Sequence, residues 1–162
     1  MMKILITGGK SAQSFKVLKA FTDDQVVLAD YGELPSLPSA KYSFAGLGER
    51  SDDTIAHNLL KACLDQEVDT LLPLYDFEVE AVAKSALLFE EFNIHILLPD
   101  AAILPLFYKK NSKSSYHWVV YNKGKVVYTS QPWTAVQEHV LSGAFYIHEV
   151  KDVITTTLMT IS

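Results

Sequence analysis

Three short stretches of this chain hold residue types that can do chemistry. The first is Gly8-Gly9-Lys10-Ser11, directly after the apolar run Ile4-Leu5-Ile6 and Thr7. A glycine pair between a strand and a helix turns the backbone tightly and aims N–H groups and a helix start at one point, which suits an anion. Lys10 and Ser11 are candidate contacts for a phosphate or carboxylate. The second stretch is Asp30-Tyr31. Asp30 closes the next apolar run about 20 residues after the glycines, where a ribose-binding acid would stand. Tyr31 can cover a base there. The third is Tyr75-Asp76-Phe77-Glu78, after Leu71-Leu72-Pro73-Leu74. Two acids at a helix start favour the helix dipole but repel a bound anion. A polar, amine-bearing or metal-bridged ligand suits them better.

The candidate ligand-binding set is therefore Gly8, Gly9, Lys10, Ser11, Asp30, Tyr31, Tyr75, Asp76 and Glu78. Each also has a plain structural reading: a tight turn for the glycines, a strand-end acid for Asp30, an N-cap for Asp76. The first loop departs from two known phosphate-binding patterns. The later glycines of the dinucleotide fingerprint are absent, since Ala12, Gln13 and Ser14 follow. The spacing of a P-loop is absent too. An NAD(P) site like that of short-chain dehydrogenases would need a Tyr-x-x-x-Lys pair after the fourth strand, and none is well placed.

No catalytic residue and no metal site is expected. The five histidines show no ligand spacing. The lone Cys63 excludes an internal disulfide and reads as a buried small hydrophobe. Lys109, Lys110 and Lys113 near Tyr108, Tyr116 and Trp118 read as a solvated helix end and linker. A net charge of −5 argues against general nucleic-acid binding. No apolar run approaches the roughly 20 residues of a membrane span. Lys3 precedes too few apolar residues for a secretory leader. The expectation is a cytoplasmic protein.

With 49% hydrophobic and 20% charged residues in 162, the chain must bury a core. Residues 3–7 read as a strand buried on both faces, because their apolar residues are continuous. Residues 11–21 read as a helix capped by Ser11, with Phe15, Val17, Leu18 and Phe21 inward. Strands follow at 26–29, 42–44, 70–74 and 94–98. Helices are expected from Asp52 or Asp53 to about residue 66, over 77–92, and from Asp100 to about 110. Ile55, Leu59, Leu60, Cys63 and Leu64 should face inward in the first of these. Such alternation predicts an α/β, Rossmann-like parallel sheet with helices on both faces over residues 1–110. Residues 114–162 predict a small α+β appendage. It has a hairpin around Asn122-Lys123-Gly124, a helix from Pro132 to Gly143, and paired strands at 144–150 and 153–161.

The combination "MKILITGG", "VVLADY" and "DTLLPLYDFEVEAVA" resembles the N-terminal (pre-ATP-grasp) domain of ATP-grasp ligases, within them the carbamoyl-phosphate-synthase large-subunit-like proteins. The resemblance covers about residues 2–110. It implies a pre-ATP-grasp-like fold, with Gly8, Gly9, Lys10 and the 75–78 edge facing a shared cleft. Family members continue into a much larger region that holds ATP and magnesium, for which residues 114–162 are too few. The resemblance therefore implies a stand-alone, non-catalytic module that binds a small metabolite, ATP or another nucleotide, or a partner protein. One alternative is a subunit of a split ligase, completed by an ATP-grasp partner. Another is an NAD(P)-binding oxidoreductase-like protein. The strand edges of the appendage suit a homodimer.

Overall fold

The computed structural model describes residues 1–36, 39–108, 117–131, 140–150 and 153–162. Five parallel strands form the first sheet, in the order β3-β2-β1-β4-β5. They are β1 Lys3–Thr7, β2 Gln25–Asp30, β3 Tyr42–Gly46, β4 Thr70–Leu72 and β5 His95–Ile96. β1 lies at the centre, flanked by β2 and β4. That position explains its unbroken apolar run: Ile4, Leu5 and Ile6 are all fully buried. Side chains alternate across the sheet. Leu5, Val27, Ala29 and Leu71 enter one core, and Ile4, Ile6, Val26, Leu28 and Leu72 enter the other.

The first core is covered by α2 Ile55–Asp65, α3 Asp76–Lys84 and α4 Ala86–Glu91, through residues such as Leu59, Cys63, Val79 and Phe89. The second is covered by α1 Ala12–Val17 and a 3-10 turn, Leu18–Phe21, through Val17 and Phe21. An antiparallel sheet, in the order β7-β6-β8-β9, completes the packing. Its strands are β6 Trp118–Asn122, β7 Lys125–Thr129, β8 Gly143–Val150 and β9 Val153–Leu158. Trp118, Val120 and Ala144 join the second core, while Val119, Tyr121, Phe145 and Leu158 join the first. The alternation of β6 and of β8 thus feeds both cores. Among the described residues, no helix is long and apolar enough to cross a membrane.

Several expectations shift in detail. The first helix becomes six residues followed by the 3-10 turn, and Phe15 is 41% exposed, edge-on to Tyr42, rather than inward. The second helix starts at Ile55 with Thr54 at its N-cap, so neither Asp52 nor Asp53 caps it, and Leu64 faces solvent. The long helix breaks at Ser85, whose φ of −102° and ψ of 13° leave the helical region. β4 ends before Pro73, where a missing N–H costs no ladder bond. β5 keeps two residues. One further bond, from the Leu97 N–H to the Leu71 carbonyl (2.8 Å), extends it before Pro99 ends pairing. After Asp100 the chain makes turns and a 3-10 segment, Leu104–Phe107, in which Pro105 removes a helical donor. The hairpin has a two-residue turn, with Lys123 at φ 50° and Gly124 at φ 83°, the left-handed pair that matches strand twist. The expected linker, the lysine cluster at 109–113 and the helix from Pro132 lie outside the described residues.

The two leading glycines serve different ends. Gly8 has φ +68°, a conformation that favours glycine. Gly9 is needed for space: a Cβ there would stand 2.8 Å from the Leu28 Cβ and 2.9 Å from the Leu28 carbonyl carbon. Its N–H donates to the Ala29 carbonyl at 2.9 Å and seats the turn on β2. Gly9→Ala should therefore destabilise the fold by about 2 kcal/mol or more, as overpacking against backbone does. Gly48→Ala, which meets nothing within 4 Å, should cost only the left-handed backbone penalty of roughly 1 kcal/mol. Urea denaturation of the two variants measures the difference.

Candidate functional site

The carboxyl ends of β1, β2 and β4 meet at one edge, and most of the sequence-selected residues gather there. Thr7 ends β1 and Asp30 ends β2. Tyr75 and Asp76 follow β4 and open α3. Parallel neighbours in register bring these ends level. Asp30 and Glu78 are buried carboxylates, 1% and 0% exposed. Burying a carboxylate demands donors, and the edge supplies them in a crossed pattern.

Tyr75, before α3, donates its hydroxyl to Asp30 Oδ1 at 2.7 Å. Tyr31, after β2, donates its hydroxyl to Glu78 Oε2 at 2.7 Å. Asp30 also accepts from its neighbour's N–H, Tyr31, at 2.8 Å and from the Lys10 N–H at 3.0 Å. Glu78 Oε1 accepts from the Thr7 hydroxyl at 2.5 Å and from the Tyr75 N–H at 3.3 Å. Thr7 Oγ1 accepts in turn from the Leu74 N–H at 2.7 Å. Tyr75, not Asp76, is the N-cap of α3, and Glu78 at N3 reaches back to the cap N–H as in a capping box. Asp76 is the first helical residue and is exposed.

The glycine turn is equally self-contained. The Ser11 N–H donates to the Gly8 carbonyl at 2.9 Å. The Ser11 hydroxyl donates to the same carbonyl at 2.6 Å and accepts from the Ser14 N–H at 3.2 Å, which makes Ser11 the expected N-cap of α1. Lys10 Nζ donates to the Tyr31 carbonyl at 2.7 Å. Asp30 thus sets an internal carboxylate on the Lys10 amide that a ligand's anion would use.

Four further residues build this edge. Thr7 links both sides of the network and was signalled only by its place at the strand end. Phe77 stacks on Tyr75 with ring centroids 5.0 Å apart and meets Tyr31 at 5.6 Å. The Arg50 guanidinium lies 3.7 Å from the Phe77 ring centroid and pairs with Asp52 at 2.6 Å. Ile161 arrives from the far end of the chain. Its N–H donates to the Leu74 carbonyl at 2.7 Å, its carbonyl accepts from the Asp76 N–H at 2.9 Å, and its side chain closes over Gly8. No local sequence signal marks Arg50 or Ile161.

Burial pushes the Glu78 carboxyl up to about 7, and nearby Asp30 adds to this, against the bonds from Thr7, Tyr31 and the Tyr75 N–H. Burial, then Glu78, raises the Tyr31 hydroxyl; burial, then Asp30, raises that of Tyr75. Both tyrosines therefore stay protonated donors. Among the described residues, no three His, Cys, Asp or Glu side chains converge as a metal-binding group.

The folded state holds the Glu78 proton more tightly than the unfolded chain does. Its contribution to stability is full below about pH 4.5 and is lost as pH rises through about 7. A rise of this size corresponds to about 3 kcal/mol. Urea midpoints of the parent chain should fall over that window. Glu78→Gln, which keeps a donor and an acceptor, should flatten the profile.

No family model matches the sequence, and no curated protein does. Solved structures do. The urea amidolyase of K. lactis superposes with a TM-score of 0.54 at 12% identity, over 99% of this chain and 13% of that chain. The urea carboxylase of Kluyveromyces lactis gives 0.53 at 12% identity, over 99% and 20%. A biotin carboxylase from Campylobacter jejuni gives 0.49 at 18% identity, over 65% and 25%. This chain spans 13% to 25% of the length of those three. At these identities the likeness is one of fold alone, an α/β fold, and in the two Kluyveromyces structures it extends over nearly the whole of this chain.

Proposed function

We propose that this chain is a non-catalytic, pre-ATP-grasp-like module whose carboxyl edge docks against an ATP-grasp-type protein region, in the same or a separate polypeptide. The observation that carries this reading is the saturation of that edge. The Gly9, Lys10 and Ser11 N–H groups already bond to Ala29, Asp30 and Gly8. Both carboxylates already hold tyrosine hydroxyls. What the edge presents outward is a partly exposed aromatic group, Tyr31, Tyr75 and Phe77, with exposed Arg50 over it. Tyrosine, other aromatics and arginine are the side chains that anchor protein interfaces. The carboxylase likeness, limited to a fifth or less of the two urea-processing chains, supports a module of a larger assembly.

A small-ligand role at the same edge would use Lys10, Asp30, Tyr31, Tyr75 and Glu78, and would require a ligand to replace bonds already made. The fold-level likeness favours the carboxylase type over the NAD(P) alternative.

Three measurements test the proposal. Purified chain with magnesium should hydrolyse ATP at background rate. ATP, ADP, NAD and NADP should leave the melting temperature within about 1 °C, whereas a ligand at 100 times its dissociation constant would add about 2.7 kcal/mol and several degrees. Calorimetric titration with an ATP-grasp polypeptide from the same genome that lacks its own N-terminal domain should show binding. Arg50→Ala and Phe77→Ala should each weaken it by tenfold or more, about 1.4 kcal/mol. A nucleotide shift of several degrees, lost in Lys10→Ala, would overturn the reading.

A further inference from the structure

A cavity lies away from the carboxyl edge, in the seam between the α3–α4 side of the parallel sheet and the β6–β7 turn. It measures about 540 Å³. An adjoining groove of about 380 Å³ shares His95 and Lys123 with it and runs to the amino ends of β1 and β4, at Met2, Asp69 and Thr70. Ligand cavities commonly span about 300–1,000 Å³.

The walls of the cavity carry opposite charges. Glu90 ends the helical side and Asp100 follows β5, while Lys123 stands on the hairpin turn opposite. Among the described residues none of the three is in an ion pair. Between them sits the His95 ring, whose Nε2 is 3.3 Å from the Ser142 hydroxyl oxygen. That hydroxyl oxygen accepts from the Lys123 N–H at 2.9 Å, so its own proton is available to the imidazole. Burial, then the Lys123 ammonium, lowers the His95 pKa, while Asn122 and Glu90 oppose the shift. The ring is therefore neutral at physiological pH. Asn93 adds a further polar side chain, and Ala83, Ala86, Ile94 and Leu98 supply an apolar wall.

We infer that this seam cavity binds a small zwitterion, a free α-amino acid with an apolar side chain. Its carboxylate would meet Lys123, its ammonium Glu90 and Asp100, and its side chain the alanine–leucine wall. A plain anion would face two carboxylates, and a plain cation would face Lys123. Only a ligand carrying both charges complements both walls. Its binding would tie the two sheets together across their seam.

The test uses the full chain and a melting-temperature panel of the standard amino acids, with L-leucine as principal probe. Controls are 4-methylpentanoate, which lacks the ammonium, and leucinamide, which lacks the carboxylate. L-leucine at about 10 mM should raise the melting temperature by about 2 °C or more, and each control by less than half of that. Lys123→Met and Glu90→Gln change exposed side chains, and each should abolish the shift with the circular dichroism spectrum unchanged. Arg50→Ala should leave it intact, which separates this site from the carboxyl edge. The inference is overturned if no amino acid shifts the melting temperature, if the single-charge controls act equally, or if the shift survives both substitutions.

Discussion

The hydrogen bond from Thr7 to buried Glu78 is the interaction on which the carboxyl edge depends. Thr7 closes the central strand and also receives the Leu74 N–H, so one hydroxyl fixes where β1 ends relative to β4. Glu78 caps the start of α3 and holds Tyr31 from beyond β2. Three strand ends, a helix start and a loop thus converge on one carboxyl group with no solvent exposure. In a low-dielectric site each missing donor would leave a buried acceptor unpaired, which costs more than an ordinary hydrogen bond contributes. The edge is held as a unit for that reason.

The same constraint explains the character of the glycine turn. A strand–glycine–helix arrangement ordinarily offers N–H groups to a ligand. Here Asp30 occupies the Lys10 amide, and the chain's own residue Ile161 covers Gly8. Polar groups at this edge are spent on internal order, and the outer surface is left to aromatic rings and Arg50. The seam near His95 shows the reverse balance. There, charged groups on two walls stay apart across open space, because the hairpin and the helices approach from different parts of the chain without closing on each other.

Much of the parallel sheet was legible in the sequence because its signals are local. An unbroken apolar run implies burial on both faces, and Ile4-Leu5-Ile6 met that rule. Ser11 as N-cap, Pro73 at a strand end and the Asn122–Gly124 turn each follow from a single residue's backbone chemistry. Errors arose where two local signals competed. Apolar residues beyond Ser85 and beyond Asp100 read as continuous helix, yet a serine in one case and Pro105 in the other broke the ladder. Leu64 and Phe15 sat on apolar stripes wider than the surface available to cover them.

The sequence by itself determined most of the strand and helix types, the burial of the first strand on both faces, and the placing of Asp30, Tyr31, Tyr75 and Glu78 at strand ends and a helix start. These follow from periodicity and from the rule that parallel strands share a carboxyl end. Only the tertiary structure decided the partners. The crossed tyrosine–carboxylate bonds span 45 and 47 residues, and the Thr7–Glu78 bond spans 71. Ile161 reaches Gly8, and Lys123 and Glu90 come to line one seam cavity, with no local trace in the sequence. Which donor satisfies a buried acid depends on how the layers stack, and that is set by the whole core rather than by any one segment.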